Sequence, residues 1–230
     1  MTMKHLTLPA IALCVLAGSA AVLFSAEQTV AESHDASSAE ATATEDATAV
    51  ETAPKAGEVV EMVMGAEDAP VTVMEYASFT CPHCANFHKN QLKQLKADYI
   101  DTGKVRYIYR DVYFDRIGLW ASMLARCDSD RFFGLADMIY AKQDEWLSSR
   151  DPVVLAGNLR KLGRVAGLEE ERIDACMQDA DMAKALVAWF ETNSAADQVE
   201  ATPTVFVDGK MLDSSSWSAI KEALDAKLEG

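Results

Sequence analysis

The sequence contains one closely spaced cysteine pair, Cys81 and Cys84, with a proline and a histidine between the two. Such a C-x-x-C pair can hold a metal ion, attach a haem group, or cycle between dithiol and disulfide. Haem attachment requires a histidine directly after the second cysteine, whereas this position is Ala85. A zinc site usually needs a second pair of ligands, and Cys127 and Cys176 are too far apart in the sequence to be a second C-x-x-C.

Thiol–disulfide exchange has the stronger physical basis for this pair. Thr80 can cap a helix and Pro82 suits its first turn, so Cys81 is expected at a helix N-terminus. Free backbone N–H groups and the helix dipole favour an anion there, and His83 adds a donor or a positive charge. Both effects are expected to lower the pKa of the Cys81 thiol and make it the nucleophile, with Cys84 as the shielded resolving thiol.

Two other interpretations of the pair stay open. His88 follows Cys84 by one helical turn, so these two residues and Cys81 could form a three-ligand metal site. The pair could also be an inert structural disulfide. An inert disulfide, however, needs neither a helix N-terminus nor an intervening histidine.

The surrounding pattern predicts a β-β-α-β segment. Strands are expected at 61–64, 71–76 and 105–109. A helix is expected from the cysteine pair toward Tyr99. The strand at 71–76 is apolar on both faces except at Thr72 and Glu75, which is typical of a central, doubly covered strand.

The second half of the chain predicts helices followed by a hairpin. Residues 117–197 have helical patterns throughout, with a good helix start at Asp151-Pro152, and the segment 181–191 is expected to be the most buried. Strands at 204–207 and 210–212 flank Asp208-Gly209, and Ser214 to Ser216 cap a last helix that ends near 228. The fold class is therefore α/β, in the order βαβ, helical insertion, ββα.

The residues from Cys81 to Cys84 resemble the active site of DsbA-type thiol:disulfide oxidoreductases, which have a thioredoxin-like fold. Thioredoxins proper have Gly-Pro between the cysteines and eukaryotic disulfide isomerases have Gly-His, so Pro-His is a fairly specific match. The order of elements is also that of the family. The resemblance implies a DsbA-like thioredoxin domain over 58–230, with an all-helical insertion over about 115–197.

The resemblance also implies a substrate-binding loop. Thr202-Pro203 comes directly before a strand, where the family has a cis-proline that faces the cysteines. An ordinary proline at the start of a strand is the alternative. The backbone of Thr202 would pair with an extended substrate, and Phe79 would form an apolar rim together with this loop.

Glu75 is a further candidate for the catalytic chemistry. Strand alternation places Glu75 on the same face as Val71 and Val73, which points a carboxylate into the core. The family has a buried acid at this offset from the first cysteine, which helps to move the proton of the resolving thiol. A hydrogen-bonded, inert glutamate is the alternative.

Cys127 and Cys176 both lie in the expected helical insertion. Free thiols do not persist easily in an oxidising compartment, so we expect a structural disulfide between the two. The bond would close a loop of 49 residue steps, worth roughly 4 kcal/mol on a chain-entropy estimate. Some DsbA-like proteins have a second disulfide in this domain, and two separately buried thiols are the alternative.

The N-terminal residues predict export. Residues 1–26 have a positive start at Lys4, an apolar run and small residues at the end, as in a bacterial signal peptide. An uncleaved membrane anchor is the alternative. Residues 27–57 are rich in Ala, Thr, Ser and Glu, and predict a disordered acidic spacer because they cannot bury enough apolar surface to fold. A signal peptide makes the periplasm the expected location. Cys14 falls in this segment, so four cysteines remain once it is removed.

The charge balance argues against one class of partner. The chain has 21 basic and 36 acidic residues and a formal net charge of -15. Nucleic-acid binding is not expected, since the neutralisation of phosphates needs clustered Lys and Arg.

These features predict a periplasmic dithiol oxidase that donates its Cys81–Cys84 disulfide to reduced, unfolded or folding exported proteins and needs no cofactor. The resemblance implies reoxidation by a quinone-linked membrane partner. A disulfide isomerase or reductant with the same cysteines is an alternative, because Thr202 is the residue type found before the cis-proline of bacterial isomerases and reductants. The second alternative function is a copper or zinc carrier that uses Cys81, Cys84 and His88.

Overall fold

A five-stranded mixed sheet organises the structure, a computed structural model that describes residues 58–229. In spatial order the strands are β1 (Met62–Met64), β3 (Val105–Asp111), β2 (Val71–Ala77), β4 (Thr204–Val207) and β5 (Lys210–Met211). Strands β2 and β3 are parallel, and the other neighbouring pairs are antiparallel. The predicted signal peptide and spacer lie outside the described residues.

The middle position of β2 confirms the strand predicted at 71–76. Its residue Ala77 pairs with Asp111 at the end of β3, and Tyr76 pairs with Thr204 at the start of β4. The carboxyl ends of β2 and β3 and the beginning of β4 therefore meet at one edge of the sheet. The predicted hairpin is also present: Asp208 and Gly209 both have positive φ, 47° and 75°, as a two-residue turn between strands requires.

The helix predicted from the cysteine pair to Tyr99 is divided. Helix α1 (Pro82–Lys89) ends at Asn90, α2 (Gln91–Leu95) follows, and a π-helical turn covers Lys96–Ile100. Asn90 has non-helical angles, φ -121° and ψ -70°. Its side-chain amide donates to the Asn86 carbonyl at 3.1 Å and to Asn86 Oδ1 at 2.9 Å. Such local side-chain bonds compete with the regular helix and explain the break.

The helical insertion between β3 and β4 confirms the predicted class of structure. It consists of α3 (Arg116–Ala125), a short 3₁₀ turn (Ser129–Arg131), α4 (Phe132–Ala141), α5 (Gln143–Trp146), α6 (Pro152–Val165), α7 (Glu170–Met177) and α8 (Ala180–Ala196). Asp151 caps α6 through the Val153 N–H at 2.8 Å, as its sequence predicts. After β5, Ser216 caps the last helix, α9 (Trp217–Leu228).

The prediction that 181–191 is the most buried helical segment is wrong. Leu186 is the one fully buried residue of α8. The Trp189 ring instead lies beside two guanidinium groups, 5.4 Å from Arg110 and 6.0 Å from Arg126. An aromatic ring can cover a cation in this way at a partly exposed surface, so its apolar character does not require the core.

The most buried helices of the insertion are α3 and α4, and α4 packs directly against the active-site helix α1. Within residues 58–229, no helix combines the length and the apolar character that a membrane crossing requires.

Candidate active site

Cys81 lies at the N-terminus of α1, where it is itself the capping residue. Its Sγ accepts a hydrogen bond from the Cys84 N–H at 3.4 Å. The prediction that Thr80 caps this helix is therefore wrong by one residue. Thr80 Oγ1 donates instead to Asp115 Oδ2 at 3.0 Å, which ties the turn before Cys81 to the start of α3.

The pKa of Cys81 is lowered from an ordinary value of 9.0 to about 5. The hydrogen bond from the Cys84 thiol is the largest cause, and burial of Cys81 opposes it. The Thr202 side chain and the backbone N–H groups of Cys84 and His83 lower the pKa further. The helix N-terminus thus stabilises the thiolate as expected, while His83 acts through its main chain.

Cys84 has the opposite environment. It is 0% exposed, and burial strongly raises its thiol pKa. The hydrogen bond to Cys81 and the charge of Glu75 raise the pKa further. Both thiols are free in the structure, so this dithiol form holds a thiolate at Cys81 and a protonated thiol at Cys84 near neutral pH.

The two residues between the cysteines, Pro82 and His83, are exposed and flank the nucleophile on the outer surface. The three-ligand metal site considered for Cys81, Cys84 and His88 is not formed. Among residues 58–229, no group of three His, Cys, Asp or Glu side chains is arranged to hold a metal ion.

The Thr202–Pro203 peptide bond is cis, and its turn lies beside the nucleophile. The Cys81 thiol is 3.5 Å from the Thr202 carbonyl oxygen, to which it can donate. Thr202 and Pro203 are both half-buried, so part of the turn faces solvent next to the reactive sulfur.

Phe79 does not form the predicted apolar rim. It is 1% exposed, and its ring centroid lies 4.8 Å from that of Tyr140 and 5.9 Å from that of Tyr109. The aromatic residues of the insertion and of β3 cover Phe79, so it packs under the active-site turn and a substrate cannot reach it.

Glu75 is fully buried in β2 below the cysteines. The Tyr107 hydroxyl donates to Glu75 Oε2, and His88 Nε2 lies 3.3 Å from the same oxygen. Glu75 Oε1 has no hydrogen-bond partner within the described part of the chain. The carboxyl group thus keeps one free oxygen in the core, close enough for its charge to act on the Cys84 thiol.

Gln143 is a site residue that the sequence did not reveal. It is 4% exposed at the start of α5, and its side-chain amide donates to the carbonyl oxygens of Phe79 at 2.8 Å and Cys81 at 2.9 Å. The insertion therefore holds the main chain of the active-site turn. No local pattern marks a glutamine that bonds residues more than sixty positions away.

Cys127 and Cys176 form a disulfide, with a Cα–Cα distance of 5.6 Å. The bond joins the end of α3 to α7, and the Arg172 guanidinium donates to the Cys127 carbonyl at 2.6 and 3.0 Å. Both contacts lie within the insertion, which is consistent with the predicted structural role.

Comparisons with known proteins show what the chain is similar to. A Rickettsia bellii protein with the provisional name protein-disulfide oxidoreductase is 34% identical over 171 residues, which cover 74% of this chain. The matched region spans 65% of that relative. Disulfide bond formation protein D of Bacillus subtilis is 27% identical over 178 residues, or 73% of this chain and 77% of that protein.

The crystal structure of alpha-DsbA1 from Wolbachia pipientis is similar to this structure, with a TM-score of 0.66 and 25% sequence identity. The similarity covers 74% of this chain and 91% of that one. The family model described as thioredoxin matches residues 57–226. Since this match covers the sheet, the cysteine pair and the insertion together, the chain belongs to the thioredoxin family and is a DsbA-like member of it.

Proposed function

We propose that the chain is a periplasmic thiol:disulfide oxidoreductase that donates its Cys81–Cys84 disulfide to reduced exported proteins. The opposite shifts of the two thiol pKa values carry this proposal: the pKa of Cys81 falls to about 5, and that of Cys84 rises. The stabilised thiolate favours the dithiol over the disulfide, so the disulfide form is a strong oxidant.

The reaction follows from this asymmetry. A substrate thiolate attacks Cys81 Sγ, which forms a substrate–Cys81 bond and breaks the Cys81–Cys84 bond. Cys84 leaves with the electron pair and takes up a proton. A second substrate thiolate then attacks the substrate sulfur of the mixed disulfide and releases the Cys81 thiolate. The substrate loses two electrons and gains a disulfide, and the enzyme is left reduced.

The substrate surface is proposed to include the exposed residues next to Cys81 and the half-buried turn at Thr202-Pro203. An extended peptide would pair with the main chain of Thr202 in the mixed disulfide. Phe114, which is 60% exposed, supplies the apolar contact first assigned to Phe79. It lies three residues after the end of β3 and lines a surface cavity of about 280 Å³ together with Leu119, Val187 and Phe190.

A partner must restore the disulfide after each cycle. We propose a quinone-linked membrane protein, since the enzyme leaves the reaction with two extra electrons that must pass to an acceptor. The net charge of -15 makes a nucleic acid an unsuitable partner.

The alternative is a disulfide isomerase or reductant that uses the same cysteines, and the presence of Thr202 before the cis-proline favours it. The two functions differ in reduction potential. Equilibration of the protein with glutathione buffers should give a potential well above that of thioredoxin, about -270 mV, if the chain is an oxidase. A potential near the thioredoxin value would support the reductant instead.

The activity test is the oxidation of a reduced model protein with paired cysteines by the disulfide form of the chain. We expect one substrate disulfide per chain, and no reaction for Cys81→Ser. Full activity in the Cys81→Ser variant would contradict the mechanism as a whole.

A further inference from the structure

Cys84 must gain and lose a proton in each redox cycle, yet it has no direct contact with solvent. It is 0% exposed in the dithiol form. In the proposed reaction the substrate also covers the outer side of Cys81, which closes the shortest route to water. A proton route through the interior of the protein is therefore needed.

His88 lies where such a route would begin. It is 2% exposed, and its Nε2 is 3.3 Å from Glu75 Oε2. Its Nδ1 is 4.0 Å from Asp137 Oδ1 on the opposite side of the ring. Neither ring nitrogen has a hydrogen bond of good geometry within residues 58–229. A buried imidazole with two unsatisfied nitrogens costs free energy, so its retention calls for an explanation.

The far side of His88 opens to the surface. Two cavities, of about 210 and about 50 Å³, are both lined by His88 and Asp137, and the Asp137 side chain is 59% exposed. Lys89, Lys93 and Lys96 surround these cavities from α1, α2 and the turn that follows. The imidazole thus separates the buried Glu75 carboxyl group from a cavity that solvent can enter.

The buried tyrosines around His88 cannot serve as proton carriers. The His88 ring stacks on Tyr140 of α4 at 4.0 Å and meets the edge of Tyr109 of β3 at 5.9 Å. Burial raises the pKa of Tyr107, Tyr109 and Tyr140 well above the ordinary value, so all three keep their protons. Glu75 and His88 are the groups left to exchange a proton between Cys84 and the cavities.

We propose that His88 carries protons between Glu75 and the surface cavity at Asp137, so that Cys84 is protonated and deprotonated from the core side of the molecule. This inference rests on the proposed function. When the Cys81–Cys84 bond breaks, His88 passes a proton to the Glu75 carboxylate, Glu75 passes that proton to the Cys84 thiolate, and solvent returns a proton to His88, so that Glu75 is again a carboxylate in the dithiol form. The sequence runs in reverse when the disulfide is formed again.

The imidazole ring is suited to this step, since one nitrogen can accept a proton while the other releases one. His88 acts through Glu75 and does not touch the reacting sulfurs. It is therefore a positioning residue for the proton and not a catalytic residue.

The test is the stopped-flow oxidation of the reduced full chain by oxidised glutathione. In the first step the Cys81 thiolate forms a mixed disulfide, which requires no proton from Cys84. In the second step Cys84 loses its proton, attacks Cys81 and releases glutathione. We expect His88→Phe, which keeps an aromatic ring beside Tyr140, to leave the first rate within about twofold and to slow the second tenfold or more.

Chemical rescue distinguishes proton transfer from a packing role. In His88→Ala, added imidazole can enter through the cavity and should restore the second step, in a manner that depends on imidazole concentration and pH. Asp137→Asn should slow the second step to a smaller extent, whereas the exposed Asp144→Asn on α5 is the matched control and should leave it unchanged. His88→Gln serves in place of His88→Phe if the latter does not fold.

Two results would overturn the relay. One is a wild-type second step in a folded His88→Phe or His88→Gln chain, and the other is a slowed His88→Ala chain that imidazole does not restore. Failure of the proposed function is distinguishable, because the disulfide form of the wild-type chain would then not oxidise the reduced model protein, whatever the rates of the His88 variants.

Discussion

The side-chain amide of Gln143 donates to the carbonyl oxygen of Cys81 at 2.9 Å, across 62 positions of sequence. The same amide nitrogen donates to the Phe79 carbonyl at 2.8 Å. One residue of the insertion therefore fixes the main chain on both sides of Thr80, and with it the position of the nucleophilic sulfur.

Gln143→Ala should destabilise the protein by about 2–3 kcal/mol, since two buried carbonyl groups lose their donor. Urea unfolding of the purified chain measures this free energy. Gln178→Ala, at the exposed end of α7, is the matched control and should change the free energy of unfolding by less than about 0.5 kcal/mol. Equal changes in the free energy of unfolding for the two substitutions would contradict the structural role assigned to Gln143.

The acidity of Cys81 should depend on the thiol of Cys84, which is the largest cause of the lowered pKa. Thiolate absorbance of the reduced chain should follow a titration with a pKa of about 5. Cys84→Ala removes the donor and should raise this pKa, and Cys84→Ser, which keeps a hydroxyl donor, should raise it less. If the pKa of Cys81 were the same in Cys84→Ala, the helix N-terminus and not the Cys84 thiol would be the cause of the lowered pKa.

The same shift makes the stability of the reduced chain depend on pH. The pKa of Cys81 is about 5 in the folded chain against an ordinary value of 9.0, so unfolding takes up a proton between these two pH values. The contribution of Cys81 is therefore complete above about pH 9 and is lost as the pH falls through 5. The pH dependence of urea unfolding in the reduced Cys81→Ser chain should lack this rise.

Loss of the second disulfide should affect stability more than activity. The Cys127→Ala/Cys176→Ala chain gives up a bond across 49 residue steps, which corresponds to roughly 4 kcal/mol of unfolding free energy. Denaturation gives the free energy, and oxidation of a reduced model protein gives the activity at a temperature where the variant is folded. A large loss of activity in the folded variant would point to electron transfer between the two cysteine pairs.

Glu75→Gln should slow the step in which Cys84 exchanges its proton by tenfold or more, because the amide cannot carry that proton. The shape of the side chain and its contact with the Tyr107 hydroxyl are retained. Stopped-flow oxidation by glutathione separates this step from the attack of Cys81. Glu171→Gln, an exposed acid on α7, is the control, and a common rate for the two variants would make Glu75 a structural residue.

Substitution of two glycines of α6 by alanine should change the free energy of unfolding in opposite directions. A Cβ at Gly163 would lie 2.8 Å from Ile173 Cδ1 and 2.9 Å from Leu124 Cδ1, so Gly163→Ala should destabilise the chain by about 1–3 kcal/mol. A Cβ at Gly157 would meet no heavy atom of the described residues within 4 Å. Gly157→Ala should stabilise the helix by up to about 1 kcal/mol. Thermal or urea unfolding of both variants tests the difference.

Local signals in the sequence predict most of the elements around the site. The apolar run at 71–76, the cap and proline at Asp151-Pro152 and the turn at Asp208-Gly209 each act over a few residues, and the structure has each of them where the sequence places it. The helix break at Asn90 is also local, but it depends on a side-chain rotamer that reaches Asn86, which the residue types alone do not specify.

The parts of the site that the sequence misses are long-range contacts. Phe79 precedes the cysteines in a turn and suggests an exposed rim, but Tyr109 of β3 and Tyr140 of α4, which follow much later in the chain, cover it. The bond from Gln143 to Cys81 and the approach of His88 to Asp137 likewise join separate helices or turns. Periodicity and capping rules describe neighbours along the chain, so they carry no information about these pairs.

Both ends of the insertion are anchored at the same edge of the sheet, where Asp111 pairs with Ala77 and Thr204 with Tyr76. If the helices of the insertion were replaced by those of a relative, the strand register and the sulfur pair would stay in place, provided that position 143 keeps a hydrogen-bond donor. Under the proposed function, an exchange of these helices is expected to change the choice of substrate and to leave the reduction potential of the sulfur pair unchanged.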